Sequence, residues 1–237
     1  MKRGVAALAL ASCSAWAGTV EGLDHVVVAV NDLAAAVADY RALGFAIKPG
    51  RPHDNGIRNF HVKFPDGTEI ELLTAPQSRD ALTATYRQHL AEGDGPAFVA
   101  LYAPHGRVPT GLPFVFLGSR NASPTDLPEH FAHPNGARSL IAVWLAAADT
   151  RSLSQALEGL GGRPIGGAVK FDQGEVVLLR QASHRPIVRA VVAVDDVGAA
   201  RRYLRAMDIA VDDESEGSVV LPRALTHGLV VELRERR

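Results

Sequence analysis

The sequence predicts an α+β protein built from tandem β-α-β-β-β units. Residues 25–47 and residues 189–211 are identical at 10 of 23 positions when they are aligned without a gap. Both stretches have the pattern of an apolar strand, an aspartate-led turn, an amphipathic helix and the start of a second strand. Because repeated sequence units fold alike, this repeat fixes the architecture.

The first unit opens with residues 23–30, a valine-rich apolar run that is typical of a buried strand. Asp32 follows as a helix N-cap, since its side-chain oxygen can accept hydrogen bonds from the first free N–H groups. Four apolar side chains then fall at helical spacing: Leu33, Val37, Tyr40 and Leu43. Gly44 ends this helix at the position where a positive φ is favoured.

Three further strands are predicted to complete the first unit, at residues 45–48, 59–64 and 68–74. The last two are joined by Asp66-Gly67, a typical hairpin turn. A helix over residues 78–92 then leads to the next unit.

The unit is predicted to recur. The copy at residues 187–234 ends with Gly228 and Glu232 at the spacing of Gly67 and Glu71. The central region contains a third unit, which has strands at 139–145 and 175–180 and a helix that begins after Asp149 and stops at Gly161. Residues 96–137 have strands at 97–103 and 113–117 but no helical pattern, which indicates a truncated unit.

Composition excludes several classes of function. The chain has 237 residues, of which 47% are hydrophobic and 22% charged, and its net charge is −1. This balance is typical of a globular protein with a real core, and it predicts no attraction to nucleic acid or to an anionic membrane. The chain also lacks the serine-hydrolase elbow, the phosphate-binding loop, and the H-E-x-x-H and C-x-x-C motifs.

Residues 1–17 are predicted to be an export signal that the mature protein has lost. A basic start is followed by a short apolar run and by Ala15-Trp16-Ala17, which has the A-x-A form of a cleavage site. The run is too short to span a bilayer. Alternatively, Cys13 is the acylated residue of a lipoprotein. The expected location is therefore periplasmic or secreted, with membrane anchoring at Cys13 as the alternative.

Residues 23–33, LDHVVVAVNDL, closely resemble the first strand of the vicinal oxygen chelate superfamily, which includes glyoxalase I, bleomycin-resistance proteins and extradiol dioxygenases. Residues 43–45, 66–68 and 70–73 fit later elements of that superfamily. The whole set, together with residues 133–137, is most similar to its glyoxalase-like subgroup. The resemblance covers about 22–235. It implies curled mixed sheets in two domains, 22–137 with its second unit truncated and 138–237.

The resemblance also implies a divalent metal held by His25 and Glu71, with Glu71 as a catalytic residue. An imidazole nitrogen and a carboxylate oxygen suit Fe, Mn, Zn or Ni. A metal with open positions can bind two neighbouring oxygens of a small substrate. The implied protein is an exported metal-dependent enzyme of the lyase, isomerase or dioxygenase class, and the fold does not decide between these reactions.

The last unit departs from this pattern. Its equivalent positions are Arg189 and Glu232, and an arginine cannot ligate a metal because it offers only donors. We therefore expect an ion pair there. A third ligand stays open, with His105 and His133 as candidates. The alternative function is a metal-free small-molecule-binding protein of the bleomycin-resistance type.

Three residues are candidates for the substrate pocket. Asn59 and His61 share one face of a predicted strand, because they are two residues apart, and His53 lies in a neighbouring loop. For all three, the alternative is an ordinary position facing solvent. The expected partner is a small molecule. A homodimer is also possible, because the first unit can pair either with the second unit or with a unit of another chain.

Overall fold

The structure is a computed structural model that describes residues 20–106 and 109–236. The predicted export signal at residues 1–17 lies outside this part of the chain. The described residues form two mixed sheets and four α-helices, which confirms the predicted α+β class. No helix among them is both long enough and apolar enough to cross a bilayer.

The first sheet comes from the first unit and the truncated unit. Its strands are β1 (Gly22–Ala29), β2 (Lys48–Pro49), β3 (Arg58–Lys63), β4 (Glu69–Thr74), β5 (Gly95–Tyr102) and β6 (Val115–Gly118). They lie in the order β2-β3-β4-β1-β5-β6. Strand β1 runs parallel to β4 and antiparallel to β5, and β5 runs parallel to β6. The truncated unit thus repeats the pairing between the first and last strands of the complete unit.

The second sheet comes from the two later units. Its strands are β7 (Ala137–Ala147), β8 (Arg163–Ile165), β9 (Ala168–Lys170), β10 (Glu175–Arg180), β11 (Ile187–Val194), β12 (Asp212–Ser215), β13 (Ser218–Val220) and β14 (Val230–Glu235). They lie in the order β12-β13-β14-β11-β7-β10-β9-β8. Strands β7 and β11 meet at the centre, and each runs parallel to the last strand of its own unit.

Each complete unit has its helix directly after its first strand. The helices are α1 (Leu33–Ala42), α3 (Thr150–Gly159) and α4 (Val197–Ala206), while α2 (Ala81–Ala91) links β4 to β5. The predicted N-caps Asp32 and Asp149 accept backbone N–H groups, and Asp196 does so in the last unit. A 3₁₀ turn at Pro128–Phe131 precedes β7.

The strand predicted at residues 45–48 is wrong in its bounds, since only Lys48–Pro49 pairs with β3. Phe45 is nevertheless buried, with its ring centroid 5.7 Å from that of Tyr40 and 6.4 Å from that of Phe64. This segment is apolar because it fills the core, and it does not form a ladder.

One hydrophobic cluster joins the two sheets, with members such as Leu23 and Val26 from β1 and Leu140 and Val143 from β7. Polar contacts support this contact region. In the second half, His227 contacts two carboxylates of the first half: its Nδ1 lies 2.8 Å from Asp94 Oδ2, and its Nε2 lies 3.0 Å from Asp39 Oδ2. A domain boundary at 137/138 stays a prediction.

Candidate functional site

One face of the first sheet carries a row of polar side chains. In β4, Glu69 and Glu71 lie on the same face because successive strand residues alternate. Their neighbours on β3 are Lys63 and His61, and His25 on β1 lies opposite Glu69. Part of this row lines a cavity of about 600 Å³, which is a usual size for a small-molecule site.

Five of the seven residues that the sequence suggested for the site line this cavity: His25, His53, Asn59, His61 and Glu71. The fold brings them together from β1, β3, β4 and the loop after β2. Their roles as metal ligands or substrate contacts stay predictions.

His25 is held between two carboxylates. Its Nε2 lies 3.6 Å from Glu71 Oε2, and its Nδ1 lies 3.4 Å from Asp24 Oδ2. The side chain of Asp24 is only 2% exposed, whereas those of His25 and Glu71 are 14% and 13% exposed. A buried carboxylate behind a partly open imidazole and carboxylate is the arrangement that orients metal-binding histidines in other proteins.

Asp24 reaches His25 because β1 is irregular at this point. Leu23 pairs with Leu101 of β5, but His25 pairs with the preceding residue, Ala100, so Asp24 is an extra residue in the ladder. A β-bulge of this kind bends the strand and redirects its side chains. The sequence motif contained Asp24, but no sequence signal marked the bulge. The contact between Asp24 and His25 was therefore missed.

The surrounding charges keep His25 protonated. Burial on its own lowers the pKa of an imidazole. Here the close contact with the carboxylate of Asp24 and the negative charges of Glu71 and Glu69 outweigh burial and raise the pKa of His25 from 6.5 to about 9. Without a metal, the site therefore holds an imidazolium ion at neutral pH.

Asn59 positions Glu71. The amide Nδ2 donates to Glu71 Oε1 at 2.6 Å and lies 3.2 Å from His61 Nε2. One Nδ2 hydrogen of Asn59 bonds Glu71, so the other points towards His61 Nε2. That ring nitrogen therefore acts as the acceptor. His61 Nδ1 then donates to Glu69 Oε1 at 3.2 Å. Burial alone would raise the pKa of Glu69, but this hydrogen bond contributes to lowering it.

The cavity wall at residues 119–126 is tied to the sheet by Asp126. Its two carboxylate oxygens each lie 2.7 Å from a lysine ammonium group, one from Lys48 and the other from Lys63. Both lysines are buried, and Lys63 also donates to the carbonyl of Asn121. Burial would raise the pKa of Asp126, but the two lysines hold it well below its usual range.

The donor set fits a divalent metal with two protein ligands. His25 and Glu71 offer one imidazole nitrogen and one carboxylate oxygen at short range. Across residues 20–106 and 109–236, no group of three or more His, Cys, Asp or Glu side chains has an arrangement that would hold a metal ion. Other positions on a metal would therefore belong to water or to substrate oxygens.

The two other histidine candidates lie away from this cavity. His133 is buried: its Nδ1 accepts from the Ala46 amide at 3.0 Å, and its Nε2 donates to the Lys63 carbonyl at 2.9 Å. This bonding ties the segment before β7 to the first unit. His105 is exposed, with its Nε2 3.7 Å from Glu21.

The equivalent position in the second half contains the expected ion pair. Arg189 Nη1 lies 2.9 Å from Glu232 Oε2, and Arg234 binds the other carboxylate oxygen at 2.8 Å. The Arg189 guanidinium also stacks 4.5 Å above the ring centre of Trp144. Glu232 is therefore compensated entirely by side chains of the protein.

Part of the chain matches a protein-family model. Residues 23–105 match the family model described as "Glyoxalase-like domain". No curated protein sequence matches the chain.

Several solved structures are similar in fold. A mutant of 4-hydroxymandelate synthase from Streptomyces coelicolor has a TM-score of 0.63 at 14% identity, with 92% of this chain and 93% of that chain covered. A hypothetical protein from Staphylococcus aureus has a TM-score of 0.59 at 10% identity, with 90% and 98% covered. The 2,3-dioxygenase LapB from Pseudomonas sp. KL28 has a TM-score of 0.58 at 12% identity, with 92% and 93% covered.

Proposed function

Because this chain is a protein of the vicinal oxygen chelate fold with a glyoxalase-like domain at residues 23–105, we propose that it is a divalent-metal-dependent enzyme. Its substrate is a small molecule with two neighbouring oxygens, and its reaction belongs to the lyase, isomerase or dioxygenase class. The approach of His25 Nε2 to within 3.6 Å of Glu71 Oε2 carries the proposal. The 2,3-dioxygenase among the similar structures supports this range of reactions.

Four side chains would prepare the site. His25 and Glu71 would hold the metal, Asp24 would orient the imidazole, and Asn59 would fix the carboxylate of Glu71 through its 2.6 Å hydrogen bond. A bound metal supplies positive charge that stabilises negative charge on the substrate oxygens.

Glu71 is also the group best placed to move a proton. It lies at the cavity wall, and Oε1 is held by Asn59 while Oε2 faces His25. A positioned carboxylate can accept a proton from a substrate held beside it. The cavity is also lined by Lys48 and His61, which suits a polar substrate.

Metal analysis tests the proposal directly. Untagged protein, reconstituted separately with Fe, Mn, Zn or Ni and then desalted, is expected to hold about one ion per chain of the preferred metal. His25→Ala and Glu71→Gln are expected to lose it, while the control His184→Ala, at an imidazole that is 79% exposed, retains it. Metal-free wild-type protein in all four cases, or full occupancy in His25→Ala, would overturn the proposal.

A metal-free small-molecule-binding protein is the second candidate. It is favoured because the site is already compensated: the His25 imidazolium lies between Asp24 and Glu71, and Asn59 occupies Glu71 Oε1. Calorimetry with catechol, a probe with two neighbouring oxygens, separates the two candidates. Binding to chelator-treated protein that survives His25→Ala supports the metal-free candidate. Binding that requires both added metal and His25 supports the enzyme.

We also propose that the protein is exported, on the basis of residues 1–17. The intact mass of protein recovered from a periplasmic fraction tests this. A chain that starts at Gly18 is expected after cleavage at Ala17, and a lipid-modified Cys13 at the N-terminus would indicate the lipoprotein alternative. A full-length chain found only in the cytoplasm would contradict both.

A further inference from the structure

A second cavity lies beside the end of the first sheet at which β3 begins and β4 stops. It has a volume of about 710 Å³ and runs between α1, the adjoining ends of β3 and β4, and α2. We call it the arginine groove, because Arg41 of α1, Arg58 of β3 and Arg87 of α2 line it. Strand alternation separates it from the candidate site: Arg58 and Phe60 face the groove, whereas Asn59 and His61 face the metal-site cavity.

The three arginines are exposed to solvent. Within residues 20–106 and 109–236, none of their guanidinium groups makes a hydrogen bond or an ion pair. Asp32 also lines the groove, but its Oδ1 accepts the Ala34 and Ala35 amides at the start of α1. Three cations from three separate elements thus line one groove whose lining has a single carboxylate, that of Asp32, so positive charge is in excess there.

The floor of the groove is apolar. It is formed by Leu33 and Val37 of α1 together with Phe60 and Pro76 from the sheet side. Phe60 is only partly buried, so part of its ring stays accessible. A ligand for this groove therefore needs an anionic end for the arginines and an apolar body for the floor.

We propose that the arginine groove binds a small organic phosphate with an apolar body. A phosphate monoester carries close to two negative charges at neutral pH, and its terminal oxygens accept charge-assisted hydrogen bonds from guanidinium groups. Arginine favours this recognition because its planar fork bonds phosphate oxygens in pairs. The volume of the groove lies in the range of small-molecule sites.

Calorimetric titration with phenyl phosphate tests the proposal. Wild-type protein is expected to bind one molecule per chain, more tightly than it binds inorganic phosphate, and to show no binding of phenol. Arg58→Gln and Arg87→Gln are each expected to weaken binding about tenfold, because each removes a charge-assisted hydrogen-bonding group. Added NaCl is expected to weaken binding through screening.

Two controls locate the effect. Arg151→Gln removes an exposed arginine of α3, the helix equivalent to α1 in the second half, and should leave the affinity unchanged. His25→Ala should also leave it unchanged, which separates this groove from the proposed metal site.

Failure to bind phenyl phosphate at millimolar concentration would overturn the proposal, as would equal affinity in Arg58→Gln and wild type. Equal losses in Arg151→Gln would indicate non-specific charge attraction and would overturn it too. Thermal unfolding of each variant verifies that the fold is intact.

Discussion

Asp24 and His25 are adjacent in sequence, yet their side chains contact each other because of the irregularity in β1. The carboxylate of Asp24 faces Nδ1 of the imidazole and leaves Nε2 directed towards Glu71. The position of the imidazole therefore depends on a residue that does not itself line the cavity.

At the proposed metal site, Asp24→Asn is expected to lower metal affinity by about 10- to 100-fold, because the carboxylate proposed to orient His25 is lost. Competition with a chelating dye measures the affinity, and circular dichroism verifies folding. Asp172→Asn, at a carboxylate that is 72% exposed, serves as the control. An unchanged affinity in Asp24→Asn would contradict this role.

The raised pKa of His25 predicts a pH-dependent stability of the metal-free protein. The pKa is 6.5 ordinarily and about 9 in the fold, so the folded state binds this proton more tightly. The stabilisation is complete below about pH 6.5 and is lost as pH rises through about 9. Urea unfolding from pH 6 to pH 10 should show the difference between wild type and His25→Gln decreasing over this range. A difference that stays constant would refute the prediction.

At the scale of elements, the segment after β6 is anchored to the first sheet by one carboxylate between two buried lysines. Asp126 compensates Lys48 and Lys63, whose side chains are only 7% and 3% exposed. Removing a single partner from such a cluster leaves buried charge uncompensated.

Asp126→Asn is expected to lower the free energy of unfolding by about 3 kcal/mol, because two buried ammonium groups lose their anion. Chemical denaturation at pH 7 measures the change. Asp195→Asn, which breaks a half-exposed pair with Arg138, should cost less than about 1 kcal/mol. Similar losses in both variants would show that Asp126 is not a special anchor.

Local patterns in the sequence predicted most elements. The valine-rich strand and the aspartate cap of α1 depend on neighbours within a few residues, and both are confirmed. The match of residues 23–105 to a glyoxalase-like domain likewise confirms the resemblance based on that segment. The strand at residues 45–48 was misplaced because an apolar run looks the same whether it pairs or only fills the core.

The contacts that build the site could not be predicted in this way. The hydrogen bond between Asn59 and Glu71 depends on the register of β3 and β4. The ion pairs that Asp126 makes with Lys48 and Lys63 depend on the path of a long loop. Composition and periodicity carry no information about such pairings. The groove lined by Arg41, Arg58 and Arg87 was missed for the same reason, since its residues are scattered along the sequence.

At the scale of the whole molecule, the two sheets share one hydrophobic cluster. The second half also contributes the His227 side chain and the Arg185 guanidinium, which donates to the carbonyls of His89, Gly93 and Asp94. Neither half can therefore expose its packed face without losing core contacts.

We expect a single unfolding transition in urea, because the shared core couples the halves. Trp144, the one tryptophan beyond the predicted export signal, reports on the second sheet by fluorescence, and circular dichroism reports on both sheets. The two midpoints should coincide in protein that lacks residues 1–17. Two separate transitions would show that the halves unfold independently.

The two repeated units differ chemically at the position of Arg189. Unlike a bound metal ion, its guanidinium is part of the polypeptide and cannot be removed by a chelator. It also stays charged across the physiological pH range. Glu232 thus has a permanent counter-charge built into the polypeptide, while Glu71 faces an imidazole, which can give up its proton. The two repeated units of one chain therefore contain a fixed electrostatic centre and one whose charge can change with pH.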